Sequence, residues 1–172
     1  MLKFGAETLK ILDLSYRGAD ITKRRMENMA ALAPAPGARI LDLGCGQGMM
    51  TEELARAVGP GGQVFGVDPS PDMRAGAEER CADLANVTVL DGMAGSVPVE
   101  DAALDGAVSL QVFEYLDDIP GALADLHVKL RGGGRLVIGD MHWDTFAWAS
   151  DDPERMRKMQ GAWERHVAEP HV

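Results

Sequence analysis

The segment Leu41-Asp42-Leu43-Gly44-Cys45-Gly46-Gln47-Gly48 constrains this chain more than any other. Ahead of it, Ala38-Arg39-Ile40-Leu41-Asp42-Leu43 has the composition of a short buried strand. Behind it, Met49 to Val58 carries Leu54, Ala55 and Val58 on one helical face and stops at Gly59-Pro60. Three alternating glycines between a strand and a helix permit a turn too tight for residues with a Cβ, and let a ligand approach the main chain. The expectation is a unit that aims free backbone N–H groups and the positive end of a helix at a ligand.

The same alternation continues downstream. Gln63-Val64-Phe65-Gly66-Val67-Asp68 reads as a second strand, and Ser70-Pro71 opens a helix with Met73, Ala77, Cys81 and Leu84 on one face. Asn86-Val87-Thr88-Val89-Leu90-Asp91 is the third strand, followed by a loop through Pro98. Leu104 to Val112 makes the fourth, and Asp117-Asp118 caps a helix that opens at Pro120 and packs Leu123, Leu126 and Leu130. Arg131-Gly132-Gly133-Gly134 turns the chain into a fifth strand, Arg135-Leu136-Val137-Ile138. Two helical patterns precede the glycine turn. The first uses Leu9, Ile11, Leu12 and Leu14; the second is capped by Asp20 and sets Met26, Met29, Ala30 and Leu32 opposite Lys23, Arg24 and Arg25. Pro34-Ala35-Pro36-Gly37 ends it. Apolar strands separated by helices predict a doubly wound α/β domain, its mainly parallel sheet covered on both faces by right-handed crossovers. Such a sheet binds ligands at the carboxyl ends of its strands.

Composition narrows the ligand. A chain of 172 residues with 46% hydrophobic and 26% charged residues is of globular type. A net charge of −10 argues against nucleic acid as a partner, because such affinity comes from Lys and Arg displacing counterions. No run approaches the roughly 18 apolar residues of a membrane span, and the first residues lack the features of a signal peptide, so the cytoplasm is the expected compartment. Cys45 and Cys81 are too few for a disulfide framework and too far apart for a metal knuckle; no metal site is expected. Cys45 reads as a small residue tolerated in a crowded turn.

Asp68 stands 20 residues beyond Gly48, where an acid is placed to accept hydrogen bonds from ribose hydroxyls. A nucleoside is therefore expected, either a dinucleotide or an adenosyl sulfonium. The dinucleotide fingerprint needs a third glycine where Met49 stands, and nothing basic lies in the turn to help with a pyrophosphate.

These residues resemble the class I S-adenosylmethionine-dependent methyltransferases, in particular the small-molecule branch with ubiquinone/menaquinone-type enzymes. The resemblance covers roughly residues 38 to 140. It rests on the glycine turn, on Val64-Phe65-Gly66-Val67-Asp68, on Val89-Leu90-Asp91-Gly92-Met93 through Pro98, and on Leu130-Arg131-Gly132-Gly133-Gly134-Arg135-Leu136. It implies a Rossmann-like sheet of order 3-2-1-4-5 and a cofactor-binding core over 38–140; the flanking patterns add a helical cap over residues 1–37 and an aromatic loop with a carboxy-terminal helix over 141–172. It also implies transfer of a methyl group to a small-molecule acceptor. Gly44 and Gly46 would pass under the methionine part of the cofactor, with Cys45 and Gly48 in the same turn and Asp42 near the amino group. Asp68, followed by Pro69, would take the ribose hydroxyls. Asp91 would accept from the adenine amino group, flanked by Gly92 and Met93, and Gln111 would lie near the methionyl portion. Tyr16 and Arg17, between the first two helices, would close over the cofactor.

Methyl transfer is a direct displacement, so a catalytic base is needed only if the acceptor must lose a proton. The candidates are Glu114, Tyr115, Asp140, His142 and Trp143 on the loops after the fourth and fifth strands. The family commonly has a Glu-His pair where this chain has Glu114-Tyr115. Met141 to Trp148 is the most aromatic stretch and reads equally as an acceptor wall or as helix packing. Beyond Asp151-Asp152-Pro153 the pattern is helical, with Met156, Met159, Trp163 and Val167 on one face. The family's last antiparallel strand pair is missing from the pattern, which predicts a fragment, or self-association through an exposed sheet edge or through this helix. A non-catalytic adenosyl-binding module and a NAD-dependent oxidoreductase are the alternatives.

Overall fold

The computed structural model describes residues 6–141 and 151–168. In chain order the elements are α1 (Ala6–Tyr16), α2 (Ala19–Leu32), β1 (Arg39–Leu43), α3 (Met49–Val58), β2 (Gln63–Asp68), α4 (Pro71–Arg80), β3 (Val87–Asp91), β4 (Leu104–Leu110), a single 3-10 turn (Phe113–Tyr115), α5 (Ile119–Lys129), β5 (Leu130–Gly139) and α6 (Pro153–Ala168). The chain divides into two compact units, Met1–Asp140 and Met141–Val172.

In the first unit the five strands form one sheet of order β3-β2-β1-β4-β5, and every neighbouring pair is parallel. Successive side chains of a strand face opposite ways, and β1 uses both faces. Ile40 joins Leu54, Val58, Val64 and Val108 in one apolar cluster. Leu41 and Leu43 join Val67, Leu104, Phe113 and Leu126 in another. Burying one such side chain contributes about 1.5–3 kcal/mol, so the two clusters fix β1 at the centre of the sheet. Asp42 shares the Ile40 face and is thereby directed at α3.

Several boundaries differ from the sequence reading. Gly18, not Asp20, is the N-cap of α2, and Asp20 lies in its first turn. The face of α2 is also turned: Arg25 is 8% exposed and Met26 is 66% exposed. The Arg25 guanidinium donates to the Tyr16 carbonyl at 2.6 Å, to Glu53 Oε1 at 3.1 Å and to Thr22 Oγ1 at 3.4 Å, and these partners make its burial tolerable. In α1, Ile11 and Leu14 are exposed rather than packed. The fourth strand ends at Leu110, because Gln111 adopts a left-handed φ of 58°. β5 begins at Leu130, so the Gly132-Gly133-Gly134 run lies inside the strand, where the register against β4 is irregular and Gly133 has φ 82°.

In the second unit, Asp152 Oδ1 accepts from the N–H groups of Glu154 and Arg155 at 3.0 Å and starts α6. Met156, Met159 and Trp163 are half-buried. No helix among the described residues is long and apolar enough to cross a membrane.

Replacing Arg25 with Ala removes the donor to the Tyr16 carbonyl on α1, to Thr22 on α2 and to Glu53 on α3, and should lower the free energy of unfolding by about 1–3 kcal/mol, read from urea melts. An unchanged midpoint would mean that the α1–α2 corner is held by packing alone.

Candidate functional site

The glycine turn joins the carboxyl end of β1 to the start of α3. Gly44, Gly46 and Gly48 all have left-handed φ, at 75°, 53° and 79°. Their missing side chains matter differently. A Cβ on Gly44 would lie 2.2 Å from Val112 Cγ2, and one on Gly48 would lie 2.9 Å from the Ala77 Cα, whereas one on Gly46 meets nothing within 4 Å. Two glycines therefore admit neighbouring elements, and the third leaves open space.

Four N–H groups of the turn, those of Gly44, Cys45, Gly46 and Gly48, are engaged within the domain, which differs from the sequence expectation of free donors. Gly44 and Cys45 both donate to the Val67 carbonyl, at 2.7 and 3.1 Å, and Gly48 donates to the Cys45 carbonyl at 2.9 Å. Gly46 donates to Asp68 Oδ2 at 3.0 Å. The end of β2 takes three of these donors, the N–H groups of Gly44, Cys45 and Gly46, which an anion-binding loop would offer to its ligand.

Beneath the turn, Thr51 of α3 donates its hydroxyl to Asp42 Oδ2 at 2.6 Å, both residues being buried. Burial pushes the Asp42 carboxyl up to about 7, against the pull of the Thr51 hydrogen bond. Cys45 and Cys81 are buried free thiols held above their usual range, first by burial, and so are unreactive.

Asp68 and Asp91 end adjacent strands and are register partners. Asp68 is 8% exposed; its Oδ1 accepts from the Ser70 N–H at 2.9 Å. Burial raises its carboxyl, opposed by the hydrogen bonds of Ser70 and Gly46. Pro69, between them, is half-buried. Asp91 is exposed and pairs with Arg74 Nη1 at 2.8 Å. A Cβ on Gly92 would lie 2.6 Å from Pro98 Cδ, so that glycine is a packing requirement; Met93 is 55% exposed and bridges to Ser96.

Past β4, the Gln111 N–H donates to the Gly139 carbonyl at 2.8 Å, and Asp140 Oδ1 accepts from the Val112 N–H at 3.1 Å. Tyr115 is hydrogen-bonded to Glu114, and burial followed by the Glu114 charge pushes its phenol up to about 12. It therefore holds its proton near neutral pH and acts as a donor. The Tyr16 phenol is raised by burial and then by the charges of Asp68 and Glu114, which brings Tyr16 into the same group. Arg17 turns away and pairs with Asp13 at 2.8 Å. His142 and Trp143 lie outside the described residues.

Sequence reasoning missed Thr51, Arg74 and Arg80. Arg80 donates to the Gln47 carbonyl at 2.7 Å and pairs with Asp13, while the Gln47 amide donates to the Leu9 carbonyl at 3.0 Å, so α1 is tied to the glycine turn twice. No short motif marks these residues, because Arg74 and Arg80 reach partners 17 and 33 residues away. A cavity of about 840 Å³ lies beside this tether, lined by Leu9, Asp13, Gln47, Glu52, Gly76 and Arg80, and does not include the strand-end acids.

Residues 41–138 match the model of a family described as methyltransferase domain. An arsenite methyltransferase of Halobacterium salinarum is 36% identical over 126 residues, 72% of this chain and 32% of that protein. A 2-phytyl-1,4-naphtoquinone methyltransferase of Synechococcus elongatus is 38% identical over 113 residues, 64% of this chain and 48% of that protein. The chain thus spans less than half the length of these curated relatives. A crystal structure of a SAM dependent methyltransferase from Aquifex aeolicus shares the fold, with a TM-score of 0.72 at 24% identity over 88% of this chain and 80% of that one.

The raised Asp42 carboxyl sets a pH dependence. The folded value lies above the unfolded one, 3.8, so its stabilising contribution is full below about pH 3.8 and is lost as pH rises through about 7. Relative to Asp42→Asn, the wild type should lose on the order of a few kcal/mol between those limits, read from melts across pH. Parallel pH profiles for the two proteins would refute it.

Proposed function

Because the chain belongs to the class I S-adenosylmethionine-dependent methyltransferase family, we propose that its glycine turn and strand-end acids bind S-adenosylmethionine for methyl transfer to a small-molecule acceptor. The observation that carries the reading is the hydrogen-bond account of the turn. With the donors of Gly44, Cys45, Gly46 and Gly48 already taken, the turn suits a ligand without phosphate. What remains on offer are acceptors: each carboxylate oxygen of Asp68 and Asp91 has a further lone pair. Two carboxylates on adjacent strand ends fit a diol and an exocyclic amine, and the open space at Gly46 admits a ligand against the main chain.

In this reading Asp68 holds the ribose hydroxyls, with Pro69 beside it. Asp91, Gly92 and Met93 hold the adenine, while Gly44, Gly46 and the Gln111 backbone face the methionyl part. Cys45 and Gly48 maintain the turn, and Asp42, through Thr51, fixes it to α3. When bound, the cofactor supplies an electrophilic methyl group on a sulfonium. The chain's contribution is to orient the reactants and keep water away, for which Tyr16 and Tyr115 are placed on one side. Glu114, which is hydrogen-bonded to Tyr115, is the carboxylate of that group that would receive a proton from an acceptor, and His142 is a second candidate. The relatives are named for different acceptors, arsenite and a naphthoquinone, so the shared core does not select one.

Calorimetry should show binding of S-adenosylhomocysteine and none of NAD at matched concentration. Asp68→Ala should weaken that binding by about 1–3 kcal/mol, through loss of a charged acceptor to buried hydroxyls. Tight NAD binding would overturn the reading, and unchanged affinity in the variant would remove Asp68 from the site.

A further inference from the structure

We propose that Arg74 is the positioning residue that holds Asp91 for recognition of the adenine edge; this rests on the cofactor reading above. Arg74 Nη1 donates to the Asp68 carbonyl and to Asp91 Oδ1, both at 2.8 Å. The two ends of that bridge differ in exposure: the Arg74 side chain is 19% exposed and that of Asp91 is 72% exposed. The arginine is thus the fixed partner, and the carboxylate is the one with freedom to lose.

Arg74 is itself fixed by the first turn of α4. Ser70 donates its N–H to Asp68 Oδ1, its hydroxyl caps the Met73 N–H at 3.4 Å, and its carbonyl accepts from the Arg74 N–H at 3.0 Å. Asp68, Ser70, Arg74 and Asp91 therefore form one connected set of hydrogen bonds across the ends of β2 and β3. A surface-exposed ion pair contributes little to stability. Its value here is pre-organisation: an exposed carboxylate that samples several rotamers must be ordered when a ligand binds, and a carboxylate held on a half-buried, anchored guanidinium is ordered beforehand. One oxygen of Asp91 is engaged by Arg74, and a carboxylate retains capacity for another donor. That donor is an amino group on the base; a carbonyl in its place would face the carboxylate lone pairs and be rejected.

The test measures, by calorimetry on the whole chain, affinities for S-adenosylhomocysteine and for S-inosylhomocysteine, in which a carbonyl replaces the adenine amino group. The wild type should prefer the adenosyl ligand by roughly tenfold or more, the scale of a charge-assisted hydrogen bond. Asp91→Asn and Arg74→Met should each reduce that preference to within about threefold, and the double variant should reduce it no further. Arg74→Lys should restore part of it, and Arg74→Gln gives the same reading if the Met variant does not fold. Equal weakening of both ligands by Arg74→Met, with the preference intact, overturns the role of Arg74 while leaving the site standing. A wild type that binds neither ligand overturns the site and this proposal together.

Discussion

The carboxyl end of β2 organises the site. The Val67 carbonyl accepts from two successive N–H groups of the glycine turn, and the next residue, Asp68, accepts from Gly46 with its side chain. A parallel sheet places β2 beside β1 in register, Leu43 against Val67, so these acceptors arrive where the turn leaves β1. Everything else follows from that junction. α3 starts from a turn fixed in place, Thr51 meets Asp42 beneath it, and the Asp68 carboxylate is held by N–H groups on both oxygens. Burial would otherwise favour its protonation, and the two hydrogen bonds oppose that tendency.

The parts of this arrangement legible in the sequence are those encoded by residues close together in the chain. Strand, glycine turn and helix around residues 38–58 could be read directly, because apolar periodicity and left-handed φ requirements are local properties. The acids at the ends of β2 and β3 could be read for the same reason. What failed was whatever depended on a distant partner. The donors of Gly44 and Cys45 read as free in the sequence because their acceptor, the Val67 carbonyl, is a backbone atom with no sequence signature. By residue type Arg25 belongs on the solvent face, yet Tyr16, Thr22 and Glu53 together offer it three acceptors. Arg74 and Arg80 look like ordinary helix surface residues until α4 is laid across the strand ends. The β5 boundary moved because glycines read as a turn also suit an irregular strand entry.

Electrostatics gives the two sides of the site distinct characters. On the β2–β3 side, exposed Asp91 and guarded Asp68 share one arginine. On the β4 side, two phenols of raised pKa stand with Glu114, so protons are held there rather than released near neutral pH. The amino-terminal helix joins this second side through Tyr16, and its attachment to the turn by Arg80 and Gln47 makes it part of the site's framework.

The three glycines of the turn carry different obligations, and this bears on how such a sequence can drift. Gly44 and Gly48 answer to Val112 and Ala77, so losing either disturbs the packing of the domain itself. Gly46 answers to empty space and to its own backbone angle. A side chain at Gly46 would therefore strain the backbone of the turn and fill the space beside it, without the clash against a neighbouring element that a substitution at Gly44 or Gly48 brings.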